Sequence, residues 1–264
     1  MDPFDPSKYW DTRLRRNFGL EGVGYARLGR RYNEWMYRVR ARVFRRVAGP
    51  LPLRSPDTRV LDIGPGTGFY IEQWRRLGAG RITGADIAPV AVEELTRRFP
   101  DARFVQADIG APLSAALGGP YDAVSAFDVL FHVVDDARFA RALLNVAALL
   151  EPGGWFIFSD NFLHDRTIRV RHQVSRSLAE ITAGLEAAGF EIVVRRPMFI
   201  LMNHPGDTPS RWPEWAWKAL VAPATVSEAA GFLIGAALYP LELGLTAVCR
   251  ESPTTEIMVC RKRT

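Results

Sequence analysis

Val60-Leu61-Asp62-Ile63-Gly64-Pro65-Gly66-Thr67-Gly68-Phe69-Tyr70 is a short apolar run, interrupted by three alternate glycines and resumed by a helix-forming stretch. The pattern reads as a buried strand entering a tight loop that opens a helix. Glycine at 64, 66 and 68 lets the main chain turn sharply and approach a ligand that a Cβ would hold off. The spacing is G-x-G-x-G, which departs from the G-x-G-x-x-G of dinucleotide-binding proteins. About 20 residues on, Asp86 closes the next strand in Gly84-Ala85-Asp86-Ile87, where a carboxylate can accept both hydroxyls of a ribose. Loop and acid together predict a nucleoside-containing cofactor at the C-terminal edge of a parallel sheet.

Outward from the loop, strands and helices alternate. Thr58 to Ile63, Arg81 to Ala85, Arg103 to Gln106, Tyr121 to Phe127 and Trp155 to Ser159 read as strands. Between them, Tyr70 to Leu77, Pro89 to Phe99 and Phe139 to Leu150 read as helices, the last stopped by a turn at Glu151-Pro152-Gly153-Gly154. A further helix spans Ser177 to Ala188, and strands follow at Phe190 to Phe199 and Thr255 to Arg261. This is α/β, doubly wound, with seven strands. The expected organisation is a helical, aromatic segment 1–56, the α/β domain 57–200, a helical insertion 201–253 and the last strand of the sheet in 254–264. A structureless loop as long as 201–253 would be unusual, which favours helices there.

Composition narrows the function classes. The 264 residues are 48% apolar and 24% charged, which suits a globular domain with a sizeable core. Met1 to Tyr9 has neither a basic nor an apolar leader region, so no secretory signal is expected. Cys249 and Cys260 make no disulfide framework or metal spacing, and a reducing cytoplasm is the simplest setting. The net charge is +5, but residues 1–54 hold 13 basic and five acidic side chains, a net of +8, leaving −3 for the remainder. Such a segment could meet phosphate or an anionic surface. The plainer reading is a solvated helix face, because no nucleic-acid module is interleaved with it. Ala229 to Cys249 is long and apolar, yet Pro240 and Glu242 near its middle argue against a membrane span. They leave open a buried segment, a dimer face or a membrane-surface contact.

A second acid, Asp108 in Gln106-Ala107-Asp108-Ile109, ends the third strand, where it could accept from an adenine amino group. With the Asp62–Gly68 loop, Asp86, the Phe127-Asp128-Val129-Leu130-Phe131-His132 segment and Leu150 to Gly154, it makes the sequence resemble the class I S-adenosylmethionine-dependent methyltransferases. The resemblance covers about residues 58–200 and the last strand. It implies a Rossmann-like methyltransferase fold, S-adenosylmethionine as cofactor and an N-terminal helical lid. It assigns the cofactor to Asp62, Gly64, Gly66, Gly68, Tyr70, Asp86, Ile87, Asp108, Ile109 and the backbone of Phe127. Tyr9, Trp10, Tyr25 and Tyr37 would belong to the lid, and Arg38 would reach the methionine carboxylate.

In-line methyl transfer from a sulfonium chiefly needs alignment and exclusion of water. A sugar or alcohol hydroxyl, however, also needs a base, and histidine suits that task near neutrality. His132 lies just past the fourth strand and Asp160 just past the fifth, so neighbouring strand ends would pair them. That arrangement is similar to sugar O-methyltransferases and makes His132 and Asp160 the expected catalytic residues. Tyr25, Tyr37, His164, Trp212 and Trp215 are the expected acceptor-binding residues, with Trp217 close by. Asn203, His204 and Asp207 could hold a divalent cation, although no motif fixes a geometry. The expected function is O-methylation of a small acceptor, a sugar or glycoside favoured, with a homodimer conceivable and no nucleic-acid partner expected. The rivals are an RNA methyltransferase, another small-molecule N- or C-methyltransferase, and a catalytically silent binding module of the same fold.

Overall fold

The structure, a computed structural model, describes residues 4–264, so the first three residues of the Met1–Tyr9 segment lie outside the described residues. Three helices come first: α1 (Pro6–Arg16), α2 (Leu20–Val23) and α3 (Gly29–Ala48). The chain then alternates through β1 (Arg59–Ile63), α4 (Phe69–Leu77), β2 (Arg81–Asp86), α5 (Pro89–Arg98), β3 (Arg103–Gln106), β4 (Tyr121–Phe127), α6 (Asp136–Leu149) and β5 (Leu150–Asp160). A small ribbon of β6 (Ile168–Val170) and β7 (Gln173–Ser175) precedes α7 (Leu178–Ala187) and β8 (Phe190–Pro197). Two long helical stretches, α8 (Trp212–Val221) and α9 (Glu228–Val248), separate β8 from β9 (Glu256–Lys262).

Seven strands form one sheet in the order β3-β2-β1-β4-β5-β9-β8. β1 to β5 are parallel, and β9 is antiparallel to both of its neighbours. Alternation along each strand divides the core into two layers. Val60, Ala123, Phe127, Ile157 and Val259 face α3, α4 and the insertion, whereas Leu61, Val124, Phe156, Phe158 and Met258 face α6 and α7. The order of strands reverses beside β1, and β1 and β4 therefore splay their following loops apart. That is where a doubly wound sheet opens its crevice.

Two sequence expectations need correction. Glu151 to Gly154 is not a turn outside the sheet: β5 starts at Leu150, and its register against β4 shifts between Tyr121 and Ala123, absorbing the glycines as an irregularity within the strand. The β6–β7 ribbon was not anticipated, because Ile168 to Ser175 carries too few apolar residues to announce two strands. Helix α6 also begins earlier than Phe139, at Asp136, where the Asp135 carboxylate accepts the Arg138 N–H as an N-cap.

Helix α9 runs alongside α3. At one end the Glu228 carboxylate accepts the N–H groups of Arg30 and Arg31, and in the middle Gly231 and Gly235 lie against Tyr32 and Trp35. The inner face of α9 carries Glu242, fully buried, whose two oxygens accept the N–H groups of Ile200 and Leu201 at 2.6 and 2.8 Å. These are the third and fourth residues past β8, so one carboxylate fixes the course of the chain as it leaves the sheet. Glu242→Ala leaves two buried donors unsatisfied and is expected to lower stability by about 2–4 kcal/mol in urea unfolding, while Glu242→Gln, which keeps one acceptor oxygen, loses clearly less.

Candidate cofactor and acceptor sites

Two adjoining cavities open at the C-terminal edge of the sheet. The larger, about 760 Å³, is lined by the β1–α4 loop, the ends of β2, β3 and β4, and helix α1. Gly64 and Gly66 form its floor, both with positive φ. A Cβ at Gly64 would meet Val129 Cγ2 at 2.4 Å, so this loop has no room for any larger residue. Gly68 has φ +86 but does not reach the cavity. It packs against Phe99 and Leu95, where a Cβ would sit 2.3 Å from the Phe99 ring. The third glycine thus serves helix–sheet packing rather than the ligand, which corrects its expected role. Asp62 is likewise behind the wall: its Oδ1 accepts from Ser125 Oγ at 2.6 Å, and burial pushes its pKa up to about 7.

Asp86, Ile87, Asp108, Ile109, Tyr70 and Phe127 all line the larger cavity. The Asp86 carboxylate accepts the Ala88 N–H at 2.9 Å, and burial raises its pKa to about 6. Asp108 accepts the Gly110 N–H and pairs with Arg138 at the cavity mouth. Tyr70 stacks on Phe127 with ring centroids 3.5 Å apart. Helix α1 closes the top: Ser7 Oγ donates to the Ile87 carbonyl, and Trp10 and Leu14 complete the lining. Arg38 takes no part. It is exposed and lies over the Trp35 ring, whereas Arg40, two residues on and so on another helix face, is buried and lines both cavities. Arg40 bonds Asp128 at 2.6 Å, and Asp128, at φ +58, also accepts from Ser159 Oγ. Burial works against the Arg40 charge, but Asp128 more than restores it.

The smaller cavity, about 460 Å³, shares Trp10, Val23, Tyr37, Arg40, Asp128 and His132 with the first. Its remaining wall is largely polar. Asn33 comes from α3, Asn161 from the end of β5, Gln173 and Ser175 from β7, and Asn203, Thr254 and Thr255 from the two ends of the insertion. Tyr25 and Tyr37 lie in this wall, and Tyr25 rests edge-on against Trp217. Trp212 and Trp215 do not. They stand 72% and 67% exposed on the outer face of α8, because Trp217 is the one that the helix turns inward. His164 is also outside the cavity, exposed and paired with Asp207 and Glu251. Asn203, His204 and Asp207 line the cavity but do not converge, since Asp207 is taken by His164 and His204 faces Glu214 and the Trp217 ring. Among the described residues no group of three His, Cys, Asp or Glu side chains suits a metal ion.

The expected His132–Asp160 pair does not form. Asp160 shares the Phe156–Phe158 side of β5, turned away from both cavities, and its carboxylate accepts the Asn161 N–H. Burial raises its pKa to about 7. Ser159, one residue earlier, lies behind the wall and bonds the wall residue Asp128. His132 instead places Nδ1 2.8 Å from the His172 carbonyl, within an aromatic setting of Trp10, Phe131 and His172. A carbonyl only accepts, so Nδ1 carries the proton and Nε2 keeps the lone pair. Burial lowers the His132 pKa to about 4. Arg40 and Asp128 went unassigned as wall residues in the sequence reading. A lone arginine in an arginine-rich helix gives no signal there, although an acid directly after the β4 strand does.

A family profile described as methyltransferase domain matches residues 60–154. Residues 60–154 of the chain are thus similar to a methyltransferase domain. Curated relatives include the ubiquinone biosynthesis O-methyltransferase of Albidiferax ferrireducens, 36% identical over 106 residues. That alignment takes in 38% of this chain and 40% of the relative. The N-methyltransferase tcpN of Claviceps purpurea is 32% identical over 108 residues, covering 40% of this chain and 38% of that protein. The chain thus spans about two fifths of the length of the curated relatives it matches. Among solved structures, the N-methyltransferase NodS of Bradyrhizobium japonicum, in complex with S-adenosyl-L-homocysteine, superposes with a TM-score of 0.58 at 13% identity. The superposition covers 99% of this chain and all of NodS. The CcbJ methyltransferase of Streptomyces caelestis gives 0.57 at 15% identity, with the same coverage. These superpositions establish the shared fold.

S-adenosylmethionine is the cofactor of the methyltransferase domain, and the larger cavity fits it. The Gly64–Gly66 floor admits a close backbone approach, Asp86 offers a buried carboxylate to ribose hydroxyls, and Ile87 and Ile109 supply apolar faces for a ring. Ionised Asp86 accepts two hydroxyls, whereas its protonated form has lost part of that capacity. Affinity for S-adenosylhomocysteine is therefore expected to weaken as pH falls through about 6, with proton release on binding in that range. Asp86→Ala should lose on the order of 100-fold in affinity together with the pH dependence, and isothermal calorimetry between pH 5 and 8 reads both.

Proposed function

We propose that the chain is a methyltransferase that moves the activated methyl of S-adenosylmethionine to a hydroxyl of a small, multiply hydrogen-bonding acceptor held in the smaller cavity. The observation that carries this reading is His132, which lines both cavities with Nδ1–H committed to the His172 carbonyl and Nε2 left as an acceptor. When bound, the cofactor supplies an electrophilic methyl on a sulfonium. The chain's own residues then align the acceptor, exclude water and receive a proton. Trp10, Tyr37 and Arg40 wall off the junction of the cavities, and Nε2 of His132 takes the hydroxyl proton as the new bond forms. With its pKa near 4 the imidazole is a weak base but is entirely unprotonated at neutral pH, and a hydroxyl becomes more acidic as it is alkylated.

The polar wall favours an acceptor rich in hydroxyls, such as a sugar or glycoside. Asn161, Gln173 and Asn203 keep carboxamide hydrogen-bonding capacity beyond their bonds to Ser175, Thr255 and His204 and suit neutral polyols, whereas Asn33 is spent on Tyr25 and Gly29. The names of the curated relatives favour a second reading, a phenolic precursor of a quinone. The matched profile, however, spans only residues 60–154, and of the smaller cavity's wall only Asp128, Phe131 and His132 fall inside it. The acceptor half of this chain is thus its own.

His132→Ala is expected to lower kcat by about 10²–10⁴-fold with S-adenosylhomocysteine affinity unchanged within a factor of about three. Methyl incorporation from labelled cofactor, screened over saccharides, glycosides and catechols, provides the assay. Full turnover in the variant would remove the assigned base. In the wild-type protein the acid limb of kcat should lie well below the ordinary histidine value, because activity is lost only as pH falls towards the depressed His132 pKa of about 4.

A further inference from the structure

Helix α9 is arranged opposite to a helix on the surface of a soluble protein. Its polar side chains Glu242 and Thr246 are buried, while Phe232, Leu233, Leu241 and Val248 stand 38, 66, 58 and 75% exposed. Only alanine, proline and glycine are interspersed on that outer face, and between Ala229 and Val248 the one charged residue is the buried Glu242. An ordinary amphipathic helix turns such residues the other way. By length and hydropathy α9 could cross a bilayer. Its inner face is nevertheless fastened to the protein, through Glu242 to Ile200 and Leu201 and through packing on Tyr32 and Trp35. The helix therefore lies along the surface.

Beside this apolar stripe stands a row of cations. Arg42, Arg45 and Arg46 of α3 are exposed and gather around Leu243 of α9. Among the described residues none of the three is in an ion pair.

We propose that α9 and the C-terminal half of α3 form a docking surface for a bilayer containing anionic phospholipid. The apolar face of α9 enters the boundary between headgroups and acyl chains, and the three guanidinium groups lie at the level of the phosphates. A fully apolar outer face is costly in water and favourable there, and the flanking charge is complementary to phosphate diesters. A second copy of this chain is the poorer occupant. A two-fold pairing that sets the C-terminal halves of α3 side by side would oppose Arg42, Arg45 and Arg46 of one copy to the same three cations of the other.

The test is flotation of the full chain with vesicles of phosphatidylcholine alone and of phosphatidylcholine with about one-quarter phosphatidylglycerol. The protein should float with the anionic vesicles, far less with the neutral ones, and lose binding as salt rises. Replacing Arg42, Arg45 and Arg46 with alanine should lower affinity for anionic vesicles on the order of 100-fold. Leu233→Gln with Leu241→Gln should abolish binding to both, each variant keeping the wild-type melting temperature. No binding of the wild-type chain at low salt would overturn the proposal, as would binding indifferent to both sets of substitutions. A dimer seen by sedimentation, dissociated by the glutamine pair in a protein that ignores vesicles, would assign the face to a second copy instead.

Discussion

The ion pair between Arg40 and Asp128 is the constraint on which both cavities depend. It joins α3 to the end of β4, and Ser159 ties it to β5 by donating to the same carboxylate. A guanidinium as buried as Arg40 is tolerable only with a partner in place, and a carboxylate at φ +58 is tolerable only where its surroundings hold it there. Each fixes the other. Because Arg40, Tyr37 and Asp128 belong to both walls, the pair also sets the partition between the place for an adenosyl group and the place for an acceptor.

The fold was legible because its signals are local. Strand-length apolar runs, the glycine loop and the strand-end acids each report on their own surroundings, and the sheet order follows from how such units pack. Gly64, Gly66, Asp86 and Asp108 stand on the cavity wall for the same reason: a residue at a strand end is placed by the strand. Gly68 and Asp62 show the limit of this. Both belong to the loop motif, yet one supports Phe99 and the other bonds Ser125 behind the wall.

The acceptor side was poorly legible because it is assembled from distant pieces. His132 and Asp160 are close along the strand edges, but period-two alternation gave Ser159, not Asp160, to the wall residue Asp128. The tryptophans of α8 illustrate the same difficulty. Trp212, Trp215 and Trp217 look equivalent in sequence, and only the packing of Tyr25 and His204 singles out Trp217 for burial. Likewise the partner of His132 is a main-chain carbonyl on a ribbon that no composition signal announced. Backbone acceptors have no residue type and cannot be read from a sequence.

Helix α3 links these observations physically. One of its faces supplies Asn33, Tyr37 and Arg40 to the cavities, another supplies Tyr32 and Trp35 to the seam with α9, and a third presents Arg42, Arg45 and Arg46 outward. Twenty residues of regular helix make these faces parts of one rigid body. Glu228 holds α9 to that body at Arg30 and Arg31, and about four turns on Glu242 holds it to the chain beyond β8. The insertion between β8 and β9 is thereby anchored to the same helix that walls the site, and the inverted polarity of α9 follows from it. The inner face of α9 must satisfy main-chain donors at the exit from β8, so its polar residues are spent inside. What is left for the outer face is apolar.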